Sequence, residues 1–240
     1  MNRLRPPEWI ALAATPVLPW LGALPGGAWA VPLLAPLTVW RPFRRAVRAE
    51  KAGLAFAVGL LWAFLLSGGT VLLVESAPPT ARRAVVNGET YRVEMFKWIQ
   101  SGEGRESDLR SFVPVHAAHL VTFLLLAAVS GGYLGLALGA YLVGYMSYFV
   151  GAFAAASGEP LLGALVAWVP WSVIRVLAFV LLGVVAARPM LLRRRWPFAR
   201  KEMILASVAA LGLSADILLK ATLAPAYARF LRTWLSVTGS

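Results

Sequence analysis

Residues 113–155 read VPVHAAHLVTFLLLAAVSGGYLGLALGAYLVGYMSYFVGAFAA. The 43 residues include no Asp, Glu, Lys or Arg. A membrane-spanning helix needs about 20 mostly apolar residues, and one helix of this length would run about 65 Å. The stretch must therefore break. Ser130-Gly131-Gly132 is the natural place, because glycine accepts the backbone angles of a tight turn. Two antiparallel spans follow, near 113–130 and 133–155.

Outward from this pair, three more stretches qualify as spans: Ala52–Val74, Leu161–Ala187 and Met203–Ala224. Trp9–Trp40 is also apolar but holds Pro16, Pro19, Pro25, Pro32 and Pro36. Proline removes a backbone donor and clashes with the preceding turn, so one straight helix is not expected. Pro25-Gly26-Gly27 at its middle predicts a broken helical hairpin with arms near 9–24 and 28–40, either marginal spans or a re-entrant loop. The expectation is an all-α polytopic membrane protein. It has six to seven membrane segments, this hairpin included, in one transmembrane domain over residues 1–240.

Composition agrees. The 240 residues are 59% hydrophobic and only 14% charged, with a mean hydropathy of +0.70. An ordinary soluble chain is about 25% charged. Disordered and soluble nucleic-acid-binding classes are excluded, although the net charge of +12 would otherwise invite the second. The absence of cysteine excludes a disulfide scaffold, thiolate metal sites and a cysteine nucleophile.

Charge placement predicts orientation, since basic loops stay cytoplasmic. With the hairpin returning the chain to its starting side, the segments around 1–8, 41–51 and 188–202 fall on one side. They carry thirteen basic residues against Glu8, Glu50 and Glu202. The loop 75–112 falls on the other side, with six basic and six acidic residues. This predicts a cytoplasmic N-terminus and an external C-terminus. A short, Arg- and Ala-rich chain without a targeting or cleavable signal pattern suggests a bacterial cytoplasmic (inner) membrane.

The external loop 75–112 is the one segment able to fold outside the bilayer. Asn87-Gly88 between β-prone residues predicts a short β-hairpin over 84–91. Tyr91, Met95, Trp98 and Ile99 then share one face of a helix lying along the interface, with Gly102 as its stop. Ser111 is expected to cap the next helix, with Pro114 in its first turn.

Ionisable groups inside spans are costly and by default mark sites. Arg175 and Asp216 sit on consecutive spans and can pair, as a gate or as a structural register pair; Lys220, four residues beyond Asp216, is expected to snorkel outward. His116 and His119, at i and i+3, share a helix face and are candidate metal ligands if Asp216, Glu94, Glu103 or Glu106 completes the set. They cannot be trans ligands of one haem. Gly131, Gly135 and Gly139 form a G-x-x-x-G-x-x-x-G stripe for close helix packing. Tyr141, Tyr145 and Tyr148 mark a second face that lines a cavity or meets a partner.

No nucleotide-binding G-x-x-x-x-G-K-[ST], no H-E-x-x-H and no G-x-S-x-G occurs. The sequence therefore predicts a non-catalytic membrane protein, a permease-type translocation component or an accessory subunit, with no cofactor demanded by a motif. Two alternatives are a stand-alone ion or proton carrier using Arg175 and Asp216, and an outer-leaflet metal enzyme using His116 and His119. Expected partners are the bilayer, anionic lipid at the cytoplasmic face, and further membrane subunits or a second copy, with no nucleic acid.

Overall fold

The computed structural model describes residues 4–193 and 199–236. Arg3, Arg194 and Arg195, counted above on the basic side, lie outside them. Four short helices open the chain: α1 (Pro6–Ala13), α2 (Leu18–Leu21), α3 (Gly27–Leu34) and α4 (Leu37–Arg48). Then follow α5 (Ala52–Ser76), α6 (Pro78–Ala84), α7 (Gly88–Ser101), α8 (Leu109–Ser130), α9 (Tyr133–Ala156), α10 (Pro160–Ala167), α11 (Pro170–Leu192) and α12 (Arg200–Ser236). No strand occurs among the described residues. By length and composition, α5, α8, α9, α11 and α12 can each cross a membrane.

The turn between α8 and α9 lies where the glycines predict it, with Gly131 at φ +63° and Gly132 at φ +103°. α9 is the central helix and packs against α3, α5, α7, α8 and α10. α11 and α12 form the other long antiparallel pair. Towards the basic end, the core gathers Leu12, Phe43, Trp62, Leu136 and Val184. Towards the 77–108 end, it gathers Met95, Trp98, Phe149, Phe153, Trp171 and Leu231.

The N-terminal stretch differs from two continuous arms. Its prolines divide it into α1–α4 and a 3-10 turn at Thr15–Val17, and none of these pieces reaches span length. Broken backbone packed against other helices needs hydrogen-bond partners, and this stretch has them. The Ala35 carbonyl accepts from the Trp62 indole at 3.1 Å and from the Thr38 hydroxyl at 2.9 Å. The Leu33 carbonyl accepts from the Tyr133 hydroxyl at 2.8 Å. At Gly69 of α5 a side chain would collide with the backbone of Pro16. Gly69→Val is therefore expected to cost roughly 1–3 kcal/mol by overpacking. A lower thermal midpoint and faster proteolysis within residues 6–36 would report it; an unchanged midpoint would refute the close approach.

Three further expectations are corrected. The β-hairpin over 84–91 is absent, and Asn87-Gly88 instead initiates α7. Asn87 is left-handed (φ +59°), but Gly88 is helical, and its missing side chain makes room for the Tyr148 ring. The cap of α8 is Asp108, whose carboxylate accepts from the Arg110 amide at 3.1 Å. Ser111 donates its hydroxyl to Asp108 instead, and Pro114 falls in the second turn. Finally, the span expected over 161–187 breaks at Trp168-Val169, because Pro170 forces the residue before it out of the helical region (Val169 ψ 137°).

The last helix is also longer than Met203–Ala224. At 37 residues, α12 runs about 55 Å. Its C-terminal part passes α10 and α7. There Tyr227 donates to the Val166 carbonyl at 2.8 Å, and Arg232 donates to the Ile99 carbonyl at 3.0 Å. Together α7, α10 and the end of α12 cap the bundle.

Candidate functional site

Arg175 stands five residues after Pro170, so the break in the expected span places it near the start of α11 rather than deep within a longer helix. Its guanidinium grips Asp216 of α12 in a fork, Nε to Oδ2 and Nη2 to Oδ1, each at 2.8 Å. Asp216 is 1% exposed. A carboxylate so far from water is tolerable because the paired donors replace its hydration.

Lys220 lies one turn further along α12, on the same face. It does not snorkel: it is 0% exposed, and its ammonium donates to Glu106 Oε1 at 2.9 Å. The same ammonium sits 4.2 Å from the centre of the Phe112 ring, a cation–π contact. Glu106 Oε2 accepts from the Trp171 indole at 3.2 Å. The 102–108 segment is thus drawn down onto the bundle. Trp98 reinforces it by donating to Ser107 Oγ at 2.8 Å and packing edge-on to Trp171. Glu106 and Phe112 are the partners that sequence reading did not assign to Lys220, and Trp171 holds Glu106 in place. The available signal was the lysine itself, since a cation within a span requires an acid.

His116 Nδ1 lies 2.8 Å from the Phe112 carbonyl. A carbonyl only accepts, so Nδ1 carries a proton, and in the neutral ring Nε2 presents a lone pair. That Nε2 is buried without a hydrogen-bond partner. His119, on the same face, is half-buried. Neither acquires a carboxylate neighbour in a metal-like cluster. Asp216 is held by Arg175, Glu106 by Lys220, and Glu94 lies 3.6 Å from Arg105. Among the described residues, no group of three or more His, Cys, Asp or Glu is gathered for an ion.

Arg175, Lys220, Glu106 and the two histidines line a cavity of about 340 Å³ beneath α7, walled also by Tyr91, Tyr141 and Tyr145. The Tyr91 and Tyr145 rings lie 4.8 Å apart, and Tyr141 meets Tyr145 edge-on at 5.4 Å. Asn87 donates its amide to the Tyr141 hydroxyl. Burial, and then the Glu106 charge, push the Tyr91 phenol well above its usual range, so it remains a neutral donor. Tyr148 does not join this wall. It is buried, and its hydroxyl donates to Glu89 at 2.9 Å. The Arg92 guanidinium hydrogen-bonded to Glu89 outweighs partial burial and holds that carboxyl below its ordinary value.

Deeper in the bundle, a second cavity of about 70 Å³ is apolar, lined by Phe43, Trp62, Phe123, Phe179 and the bare backbone of Gly135 and Gly139. His116, His119, Tyr145, Met146 and Arg175 line both cavities. The glycine stripe therefore divides its work. Gly131 makes the turn, Gly135 lies against Ala127 of α8, and Gly139 has open space where a side chain would be.

Comparison with protein-family models, with curated proteins and with solved structures found no match for this chain.

Proposed function

We propose that this is a non-catalytic integral membrane protein, a permease-type component or accessory subunit, that takes an amphipathic molecule into the cavity beneath α7. The observation that carries this reading is the shared wall. A polar chamber adjoins an apolar cleft across His116, His119, Tyr145, Met146 and Arg175. A ligand with a polar head and an apolar chain matches that sequence of environments. The charged groups of the chamber are already paired as Arg175–Asp216, Lys220–Glu106 and Arg105–Glu94. The head best served is therefore uncharged or zwitterionic and hydrogen-bonding. It would use the phenols, and His116 Nε2 as an acceptor.

In this reading the basic end faces the cytoplasm of a bacterial inner membrane, and the 77–108 cap and the C-terminus are external. The broken N-terminal stretch would enter and leave the bilayer as a hairpin, for six to seven segments in all. Work on the ligand would need a further subunit or a second copy. An ion path along Arg175 and Asp216 has less support, because the polar chamber adjoins aromatic side chains of the apolar cleft. A metal enzyme has only the His116 lone pair in its favour.

Gly139→Leu tests the proposal. The new side chain enters open space, and leucine is the better helix former, so the fold is expected to persist with an unchanged thermal midpoint. The same side chain fills the cleft. Native mass spectrometry of the purified protein is expected to show a lipid-like adduct on the parent and its loss in the variant. No adduct on the parent, or an equal adduct on a folded variant, would overturn the reading.

A further inference from the structure

The second charged cavity lies at the opposite end of the bundle and plays no part in that reading. It measures about 530 Å³ and is lined by Arg5, Glu8, Trp40, Arg41, Arg44, Arg45 and Arg48. Its construction begins with α4. Arg41, Arg44, Arg45 and Arg48 recur at i, i+3, i+4 and i+7, so they form one stripe along the helix. Val39, Phe43, Ala46 and Val47 are buried against the bundle. The face carrying the arginines is thereby fixed outward.

The acid of this cavity is already paired with one of its arginines. Glu8 is buried, accepts from the Arg5 amide at 2.7 Å and pairs with Arg45 at 2.6 Å. That pair braces α1 against α4. It leaves the side chains of Arg5, Arg41, Arg44 and Arg48 exposed around one cavity, with no ion pair to any described residue. Four guanidinium groups with no ion pair among the described residues repel one another, and they are relieved by an anion carrying more than one charge. The apolar flank adjoins directly. Exposed Leu37 lies one turn before Arg41 on α4, and Trp40 in the cavity wall packs edge-on to Tyr133 at 5.4 Å. An aromatic ring between charge and apolar surface suits the headgroup level of a bilayer.

From this arrangement we infer that Arg5, Arg41, Arg44 and Arg48 form a binding site for the headgroup of an anionic phospholipid carrying two phosphates. Its chains would run along the exposed apolar start of α4. The Glu8–Arg45 pair positions the stripe and does not itself take the ligand.

The test uses the full chain purified in detergent. Native mass spectrometry would be run with added tetraoleoyl cardiolipin, with dioleoyl phosphatidylcholine, and with cardiolipin in the presence of millimolar inorganic pyrophosphate. Cardiolipin is expected to bind at least about tenfold more tightly than phosphatidylcholine and to resist pyrophosphate. The triple variant R41Q/R44Q/R48Q is expected to weaken cardiolipin about a hundredfold, and Arg44→Gln alone about fivefold, because each basic group near a lipid surface contributes about one such factor. All three side chains are exposed, so the thermal midpoint should hold. Should the triple variant fail to fold, Arg44→Gln carries the test. Equal binding of the two lipids, or unchanged cardiolipin binding in the folded variants, would overturn the site. Displacement by pyrophosphate would overturn the lipid as its occupant and point to a soluble polyanion.

Discussion

Arg175→Met is expected to destabilise the protein by roughly 3–5 kcal/mol, the usual cost of leaving one member of a buried ion pair without its partner. Methionine keeps most of the length and apolar contact of the arginine stem. What it removes is the fork of two 2.8 Å hydrogen bonds on Asp216. That carboxylate, 1% exposed in the parent, then loses both of its side-chain donors. Arg175→Lys should fall between, because an ammonium restores the charge but not the planar two-point geometry.

The double variant R175M/D216L separates a structural pair from a functional one. Replacing both charges with apolar groups removes the desolvation cost along with the attraction, so most of the lost stability should return. Thermal or denaturant unfolding in micelles measures all three variants. A single variant as stable as the parent would mean that the pair is not formed. If the stable double variant also keeps the adduct of the Gly139 experiment, the pair sets helix register. If it loses the adduct, Arg175 contacts the ligand.

The contrast between what was and was not legible in the sequence follows from the range of the interactions. The five long spans are local facts: each is a run of apolar residues, and Gly131-Gly132 ends one of them by backbone chemistry alone. Arg175 and Asp216 could be matched because each is an isolated charge in an apolar setting. Asn87-Gly88 misled because the same dipeptide serves two ends. As a turn signal it is local, but here Gly88 is small for the sake of Tyr148, a residue on a different helix. The break before Pro170 was hidden because apolar residues flank it on both sides, and hydropathy does not distinguish one long helix from two. The span expected to end at Ala224 continues through Pro225, which is accommodated inside the helix. Above all, the fate of Lys220 depends on Glu106. That glutamate belongs to a polar loop and is one of several carboxylates that sequence reading sets beside the histidines, not the lysine.

That same contact sets the second large effect, and it is expected to be asymmetric. Glu106→Ala leaves an ammonium that is 0% exposed without its hydrogen-bonded carboxylate, keeping the Phe112 ring face as its direct contact. A cost of roughly 3–5 kcal/mol is expected, since one cation–π contact offsets only a fraction of desolvation. Lys220→Met leaves the opposite charge, but Glu106 has an easier escape. Its carboxylate retains the Trp171 indole donor, and its side chain is 12% exposed against 1% for that of Lys220. Lys220→Met should therefore cost clearly less, and E106Q/K220M less than Glu106→Ala. Because Glu106 ties the 102–108 segment to α11 and α12, its removal should also unlatch the cap. Amide exchange over residues 98–108 is expected to quicken by roughly two to four powers of ten in Glu106→Ala if the lost energy goes into local opening. Exchange in α5 and α9 should change little. Equal destabilisation by the two single variants would show that Glu106 is as trapped as Lys220. Unchanged exchange over 98–108 would show that the cap is held by Trp98 and Arg232 instead, through their bonds to Ser107 and the Ile99 carbonyl.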